Sequence, residues 1–208
     1  MKNVSRRTRN PFDLDPPCDR FVPGYGDPNA DFHVIGDHPG RHGGETTGVP
    51  FTDSPAGREL QAVLADVGLV LESGDEPLLR NCYLSYLHLC VPDSEPTAAD
   101  YAEMERFFDA ELRAITAHVL LPVGERAIEH VLRNYSPEPV DEIDVTALHA
   151  NELTSGAWVI VPIVEPESWT GDQRRTLIDR LESILSSDYR RESDLGRFIP
   201  GGDPYLVR

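Results

Sequence analysis

Lysine is all but missing from this chain: Lys2 is the only one, and Asp plus Glu total 36 against 19 Lys plus Arg, for a formal net charge of -17. A dispersed acidic excess that keeps arginine and drops lysine is the surface expected of a protein from a salt-loving cell, where counterions screen self-repulsion. Such a balance ordinarily weighs against a nucleic-acid partner. At molar salt, however, the screening length is only about 3 Å, so a local arginine cluster can still meet a phosphate. Cysteine is scarce too. Cys18, Cys82 and Cys90 form no Cys-x-x-Cys pair and no disulfide framework, so buried or free thiols are the expectation. No apolar run reaches the length of a membrane span, and the opening MKNVSRRTRN lacks the apolar core of a secretion signal, which predicts a cytoplasmic protein without membrane contact. Internal repeats, a Gly-Lys-Ser/Thr phosphate loop and a dinucleotide fingerprint are also absent, which argues against a nucleoside-triphosphate site.

What is present alternates between strand and helix patterns. A short apolar run (Phe32, Val34, Ile35) bounded by Gly36 reads as a buried strand, followed by an amphipathic helix over residues 56–68 that starts after Ser54-Pro55. NCYLSYLHLC at 81–90 reads as a second strand. Thr97, with Asp100 three residues on, opens a long helix whose buried face carries Tyr101, Met104, Phe107, Phe108, Leu112 and Ile115. HVLLPVG, ERAIEHVLRNY and WVIVPIV supply a third strand, a third helix and a fourth strand, and residues 171–190 a last helix. This alternation predicts a three-layer α/β/α sandwich around a central, mostly parallel four-stranded sheet. In this 208-residue chain the periodic stretch 21–190 reads as one domain, flanked by an extended, locally basic arm at 1–20 and a Gly- and Pro-rich flexible tail at 191–208, with a further acidic, proline-bearing loop at 136–144.

The chemistry concentrates in DFHVIGDHPGRHGGETTGVPF, residues 31–51, because open α/β sheets bind ligands just past the carboxyl ends of their strands. Its glycines allow a backbone to approach phosphate closely. His38 and His42, with Asp37 and Glu45 nearby, have the composition of a metal site, but such a grouping in a loop arises more often by chance. Phe51 either plugs the core or offers a ring on which a flat ligand stacks.

From about residue 10 to 185 the chain resembles the uracil-DNA glycosylase superfamily, most closely its iron-sulfur, thermophile-type branch and that branch's haloarchaeal relatives. The resemblance is carried by Cys18, by Gly24-Tyr25-Gly26-Asp27-Pro28-Asn29-Ala30-Asp31, by Gly36-Asp37-His38-Pro39-Gly40 and by Gly48-Val49-Pro50-Phe51. It continues with Cys90 and a nearby proline after the second strand, Pro96-Thr97 at the long helix, and Leu120-Leu121-Pro122-Val123-Gly124-Glu125-Arg126-Ala127.

The resemblance implies an enzyme of base-excision repair that flips uracil or another damaged base from single- or double-stranded DNA, stacks it on Phe51 and cuts the glycosidic bond with water. It assigns Asp37, in place of the family's Glu, as the catalytic carboxylate; Phe51, Ser85, Tyr86 and Glu165 as base-binding positions; and Gly36, His38, Gly40 and Arg41 as the loop on the DNA backbone. Departures from the pattern accompany it. The uracil-reading Asn falls on Tyr86, with Ser85 beside it; the His-Pro-Ser motif becomes Glu165-Pro166-Glu167; and of the four cluster cysteines only Cys18 and Cys90 remain, with Met104 at the fourth position. A four-iron cluster is therefore not expected, nor another cofactor or metal. A monomer that excises bases weakly is the leading reading. A non-catalytic relative kept as a DNA-binding or protein-interaction module is the alternative, and an unrelated doubly wound domain for a small phosphorylated ligand a third.

Overall fold

A computed structural model describes residues 14–115, 117–136, 143–155 and 158–190. Most of the arm expected at 1–20, part of the loop at 136–144 and the tail expected at 191–208 lie outside the described residues. Among the described residues there are eight strands: β1 (Tyr25–Gly26), β2 (Phe32–Gly36), β3 (Val70–Glu72), β4 (Leu78–Leu79), β5 (Cys82–Tyr86), β6 (Val119–Pro122), β7 (Leu153–Ser155) and β8 (Trp158–Ile160). Six of them form one sheet in the order β1-β5-β2-β6-β8-β7. Its centre, β5-β2-β6-β8, is parallel and contains the four strands legible in the sequence. Two short antiparallel strands, β1 and β7, extend its edges.

Period-2 alternation sends successive side chains of each central strand into different layers. Phe32, Val34, Leu84, Leu121 and Val159 pack on one side with Leu60, Val63, Leu64, Leu177, Leu181 and Ile184. Ile35, Tyr83, Leu120 and Ile160 pack on the other with Phe108, Leu112, Ile115, Ile128 and Val131. The first layer thus holds α2 (Pro55–Asp66) and α6 (Gly171–Leu185), the second α3 (Ala98–Ile115) and α4 (Glu125–Tyr135); the remaining helices are the single turns α1 (Pro39–His42) and α5 (Val145–Leu148). Local signals fix where these helices begin. Ser54 accepts from the Gly57 N–H, Asp100 accepts from the Thr97 N–H, and Thr170 with Gln173 forms a reciprocal capping box. No helix among the described residues is long and apolar enough to cross a membrane.

Several boundaries differ from the sequence reading, among them the fourth strand, which stops at Ile160 and not at Val164. The second strand stops at Tyr86 and not at Cys90, because the next amides turn aside: Leu87 N–H donates to the Gly36 carbonyl and His88 N–H to that of Asp37, each at 3.0 Å. The last helix ends at Leu185. At the amino ends of the strands, Asp31 accepts from Asn81 Nδ2 and Tyr189 Oη at 2.9 Å and from the Arg190 guanidinium, which ties the chain beyond α6 to β2.

The topology places the site. In chain order β2 is followed by β5 on one side and then by β6 on the other, and the helices after β2 and β6 fall on different faces of the sheet. The carboxyl ends of β2 and β6, where Asp37 and Gly124 follow, are therefore the switch point of the sheet, the place where open α/β sheets bind ligands.

Candidate active site

Asp37 is buried at the end of β2, and its carboxylate Oδ1 accepts a hydrogen bond from the Tyr101 hydroxyl of α3. The Arg126 guanidinium, at the start of α4, lies 3.7 Å from the same oxygen and 4.2 Å over the Tyr101 ring. Burial first, then the hydrogen bond to Asp37, raises the Tyr101 pKa, so the phenol stays protonated and remains a donor. Two helices on one face of the sheet therefore converge on one carboxylate.

The loop after β2 is not slack. Pro39, with its fixed φ, starts the single turn α1, which folds the His42 imidazole back under the strand end. His42 Nδ1 accepts from the Asp37 N–H at 3.0 Å, so Nε2 carries the ring proton of the neutral form. Nε2 lies 3.3 Å from Glu165 Oε1, close but without hydrogen-bond alignment. The imidazole stacks on Phe51 at 5.3 Å with 23° between planes, and Tyr86 tilts against Phe51, also at 5.3 Å.

Phe51 itself sits at φ 59, in the left-handed region that a bulky residue rarely adopts. Its peptide is held at both ends: the N–H donates to Tyr86 Oη at 2.7 Å and the carbonyl accepts from Gln61 Nε2 at 2.8 Å. Tyr86 Oη in turn donates to the Gly43 carbonyl at 2.8 Å. Gly36 is required beneath them, since a Cβ there would come within 2.6 Å of the Phe51 ring and 2.7 Å of the Tyr86 ring.

Glu165 follows the last parallel segment and is bound by Arg41 Nε at 2.7 Å. Burial alone would raise its pKa, but His42 and Arg41 together outweigh burial and hold the carboxyl below its usual range. Its negative charge is compensated in place by Arg41, so Glu165 is not the bare carboxylate that the sequence comparison with His-Pro-Ser suggests.

His38 is the exception to this pairing. It is 4% exposed, neither ring nitrogen has a hydrogen-bond partner, and the nearest carboxylate oxygen, Glu95 Oε2, is 3.7 Å from Nε2. Burial depresses its pKa against the opposing pull of Asp37 and Glu95, which keeps it neutral at pH 7 with one donor and one acceptor nitrogen.

A carboxylate at the switch point thus lies beside an aromatic cluster of His42, Phe51 and Tyr86 at a glycine-rich loop. The pattern of the uracil DNA glycosylase superfamily matches residues 23–180. The chain belongs to that superfamily. Among its relatives, a Type-5 uracil-DNA glycosylase of Thermus thermophilus is 32% identical over 130 residues, covering 60% of this chain and 59% of the relative. One from Pyrobaculum aerophilum is 31% identical over 120 residues, 55% of this chain and 53% of the relative. One from Mycobacterium leprae is 29% identical over 133 residues, 60% and 58% respectively. The matched stretch is thus less than two thirds of each relative's length.

Within this superfamily frame, the structure brings together Asp37, Phe51, Tyr86 and Glu165, all around His42. Ser85 does not join them. It faces the opposite layer, where its Oγ lies 2.7 Å from His33 Nε2, because neighbouring strand residues point to opposite sides. Gly36 and His38, expected on the DNA backbone, are buried, and Gly36 serves ring packing; of that loop only Gly40 and Arg41 are exposed. His42, Tyr101 and Arg126 are residues that the sequence reading passed over. His42 was visible only as half of a candidate metal pair, and no group of three or more His, Cys, Asp or Glu that could hold a metal exists among the described residues. Arg126 had a usable signal, its place just past the switch strand. Cys82 is a buried free thiol, but Cys18 and Cys90 are joined in a disulfide, contrary to the expectation of free thiols. Their distance in sequence concealed a pairing that the fold creates.

Proposed function

We propose that this chain binds uracil, or a base altered in a similar way, flipped out of DNA, and hydrolyses its N-glycosidic bond in base-excision repair. The observation that carries the reading is the contrast between two neighbours in one loop: Asp37 has its Oδ1 held by Tyr101 and Arg126, whereas both nitrogens of buried His38 are unengaged. Asp37 is preorganised to stabilise the positive sugar that develops as the bond breaks. His38, neutral and with a free lone pair, takes a proton from water as the water oxygen bonds to C1′ and the C1′–N electron pair leaves with the base. Arg41 and Gly40, exposed on that loop, meet phosphate in this reading.

A specific observation favours the second reading, a non-catalytic DNA-binding relative: Phe51 is fully buried and His42 occupies one face of its ring. A base that stacks on that face must displace an imidazole bonded to the Asp37 amide. Excision is accordingly weak in the first reading and absent in the second.

The test is release of uracil from labelled single- and double-stranded oligonucleotides in molar KCl, with binding to the uncut strand measured in parallel. We expect release by the wild-type chain, reduced roughly 10²-fold or more by His38→Asn and by Asp37→Asn while binding persists. Binding without release would put the non-catalytic reading first; neither binding nor release would end both.

A further inference from the structure

The superfamily resemblance implies a cluster held by four cysteines, and the residues present do not fit one. Cys18 and Cys90, 72 positions apart in sequence, are bonded to each other with Cα atoms 6.0 Å apart, so neither sulfur is available as a thiolate ligand. Met104, at the fourth position, brings a thioether to 3.8 Å from Cys90 Sγ and packs with Cys90 and Phe107.

The disulfide sits at a junction. On one side Leu14 and Cys18 pack against Cys90, Met104 and Phe107, while Val22 N–H donates to the Leu89 carbonyl at 2.8 Å and Val91 N–H to the Arg20 carbonyl at 2.9 Å. On the other side the turn 87–90 is bonded to the site itself. His88 N–H donates to the Asp37 carbonyl at 3.0 Å, His88 Nδ1 lies 3.1 Å from the Cys90 carbonyl, and the His88 ring meets Tyr101 edge-on at 5.5 Å. The 14–22 segment also forms part of the wall of a cavity of about 360 Å³ whose lining includes Tyr86.

We propose that the Cys18–Cys90 disulfide is a reducible staple standing where the relatives' cluster would stand, and that it fixes residues 14–22 against the turn that holds Asp37 and Tyr101 in place. Cys90 is buried and Cys18 is partly exposed, which gives a reductant its point of attack. A dithiol's thiolate attacks Cys18 Sγ, and Cys90 departs as a thiolate and takes up a proton. The second thiol of the reductant then displaces Cys18, completing a transfer of two electrons and two protons. Reduction removes the covalent tie and leaves residues 14–22 held to the turn 87–90 by backbone hydrogen bonds and apolar packing.

The full chain, purified in molar KCl without reductant, is assayed for thiols after denaturation, for thermal unfolding with and without dithiothreitol, and for hydrogen exchange at the His88 amide. We expect one reactive thiol before reduction and three after. Reduction should lower Tm by roughly 8–15 °C, the loop-entropy effect for a closed loop of this length, and speed His88 exchange at least about tenfold. Cys18→Ser should melt where the reduced wild type does and ignore the reductant; should it fail to fold, the reduced wild type carries the same comparison. Three free thiols in the air-purified chain, stoichiometric iron with broad visible absorption after anaerobic purification, or a Tm and His88 exchange indifferent to reductant would each overturn the proposal. None of these readouts involves uracil, so their failure leaves the glycosylase reading standing.

Discussion

Replacing Tyr86 by Phe isolates the latch that holds Phe51. The ring is kept, so no cavity forms; only the hydroxyl goes, and with it the acceptor for the Phe51 N–H at 2.7 Å and the donor to the Gly43 carbonyl at 2.8 Å. Both partners are backbone groups in a buried setting. Each loses its pairing at a cost of about 1–3 kcal/mol, so the sum is about 2–4 kcal/mol when some relaxation is allowed. Phe51 adds to this because its left-handed φ of 59 carries about 1–2 kcal/mol of strain that the latch holds in place. For a domain of this size the loss corresponds to a fall in Tm of roughly 5–15 °C, measured by circular dichroism in molar KCl. In base binding the loosened platform should forfeit part of a stacking interaction worth about 1–3 kcal/mol, read as weaker affinity for a uracil-containing strand relative to an unmodified one. Truncating Phe51 itself is a poorer probe, since emptying a fully buried phenyl site costs about 3–5 kcal/mol of stability on its own. A Tyr86→Phe chain with wild-type Tm and unchanged discrimination would show that the hydroxyl network does not hold the platform.

Acid should destabilise the fold well before ordinary carboxylates titrate. His33 is completely buried and burial pushes its pKa down to about 3, so the unfolded chain binds an extra proton as pH falls below about 6.5 and stability drops by about 1.4 kcal/mol per unit, about 2 kcal/mol by pH 5. Asp31 acts in the same direction at lower pH. Burial would raise its pKa, but Arg190, Asn81 and Tyr189 hold it below its usual value, so its contribution is present above the carboxylate range and lost as pH falls through it. Denaturant unfolding from pH 7.5 to 4.5 measures the His33 effect and its continuation below the carboxylate range the Asp31 effect; a flat profile down to pH 5 refutes the His33 assignment. Dilute buffer should also weaken the fold, because the net charge of -17 is then unscreened; Tm is expected to climb through a KCl titration toward molar salt, and a constant Tm would contradict the halophilic reading of the composition.

The central parallel strands and four long helices were legible because each meets a local condition: a short apolar run, a 3.6-residue apolar stripe, or a capping residue such as Ser54 or Thr97 whose partner lies three residues on. Edge strands β1 and β7 run two and three residues and carry no period to detect. The candidate site was legible as a place, since a glycine-rich stretch after a buried strand points to a strand-end site, and Asp37, Phe51, Tyr86 and Glu165 do meet there. Ser85 was lost to alternation, which sequence can count only once the register is known.

Sequence alone determined what depends on neighbours along the chain: composition and net charge, helix starts, strand cores and the motif order that marks the superfamily. Tertiary structure alone decided what depends on residues brought together from afar. Arg41 reaches Glu165 across 124 positions, Tyr101 reaches Asp37 across 64, and Cys18 meets Cys90 across 72. Pairings of that kind fix whether a carboxylate is bare or compensated, a thiol free or bonded, and a buried histidine engaged or unpartnered. They are set by which strand ends the sheet order places side by side, and no local propensity encodes that.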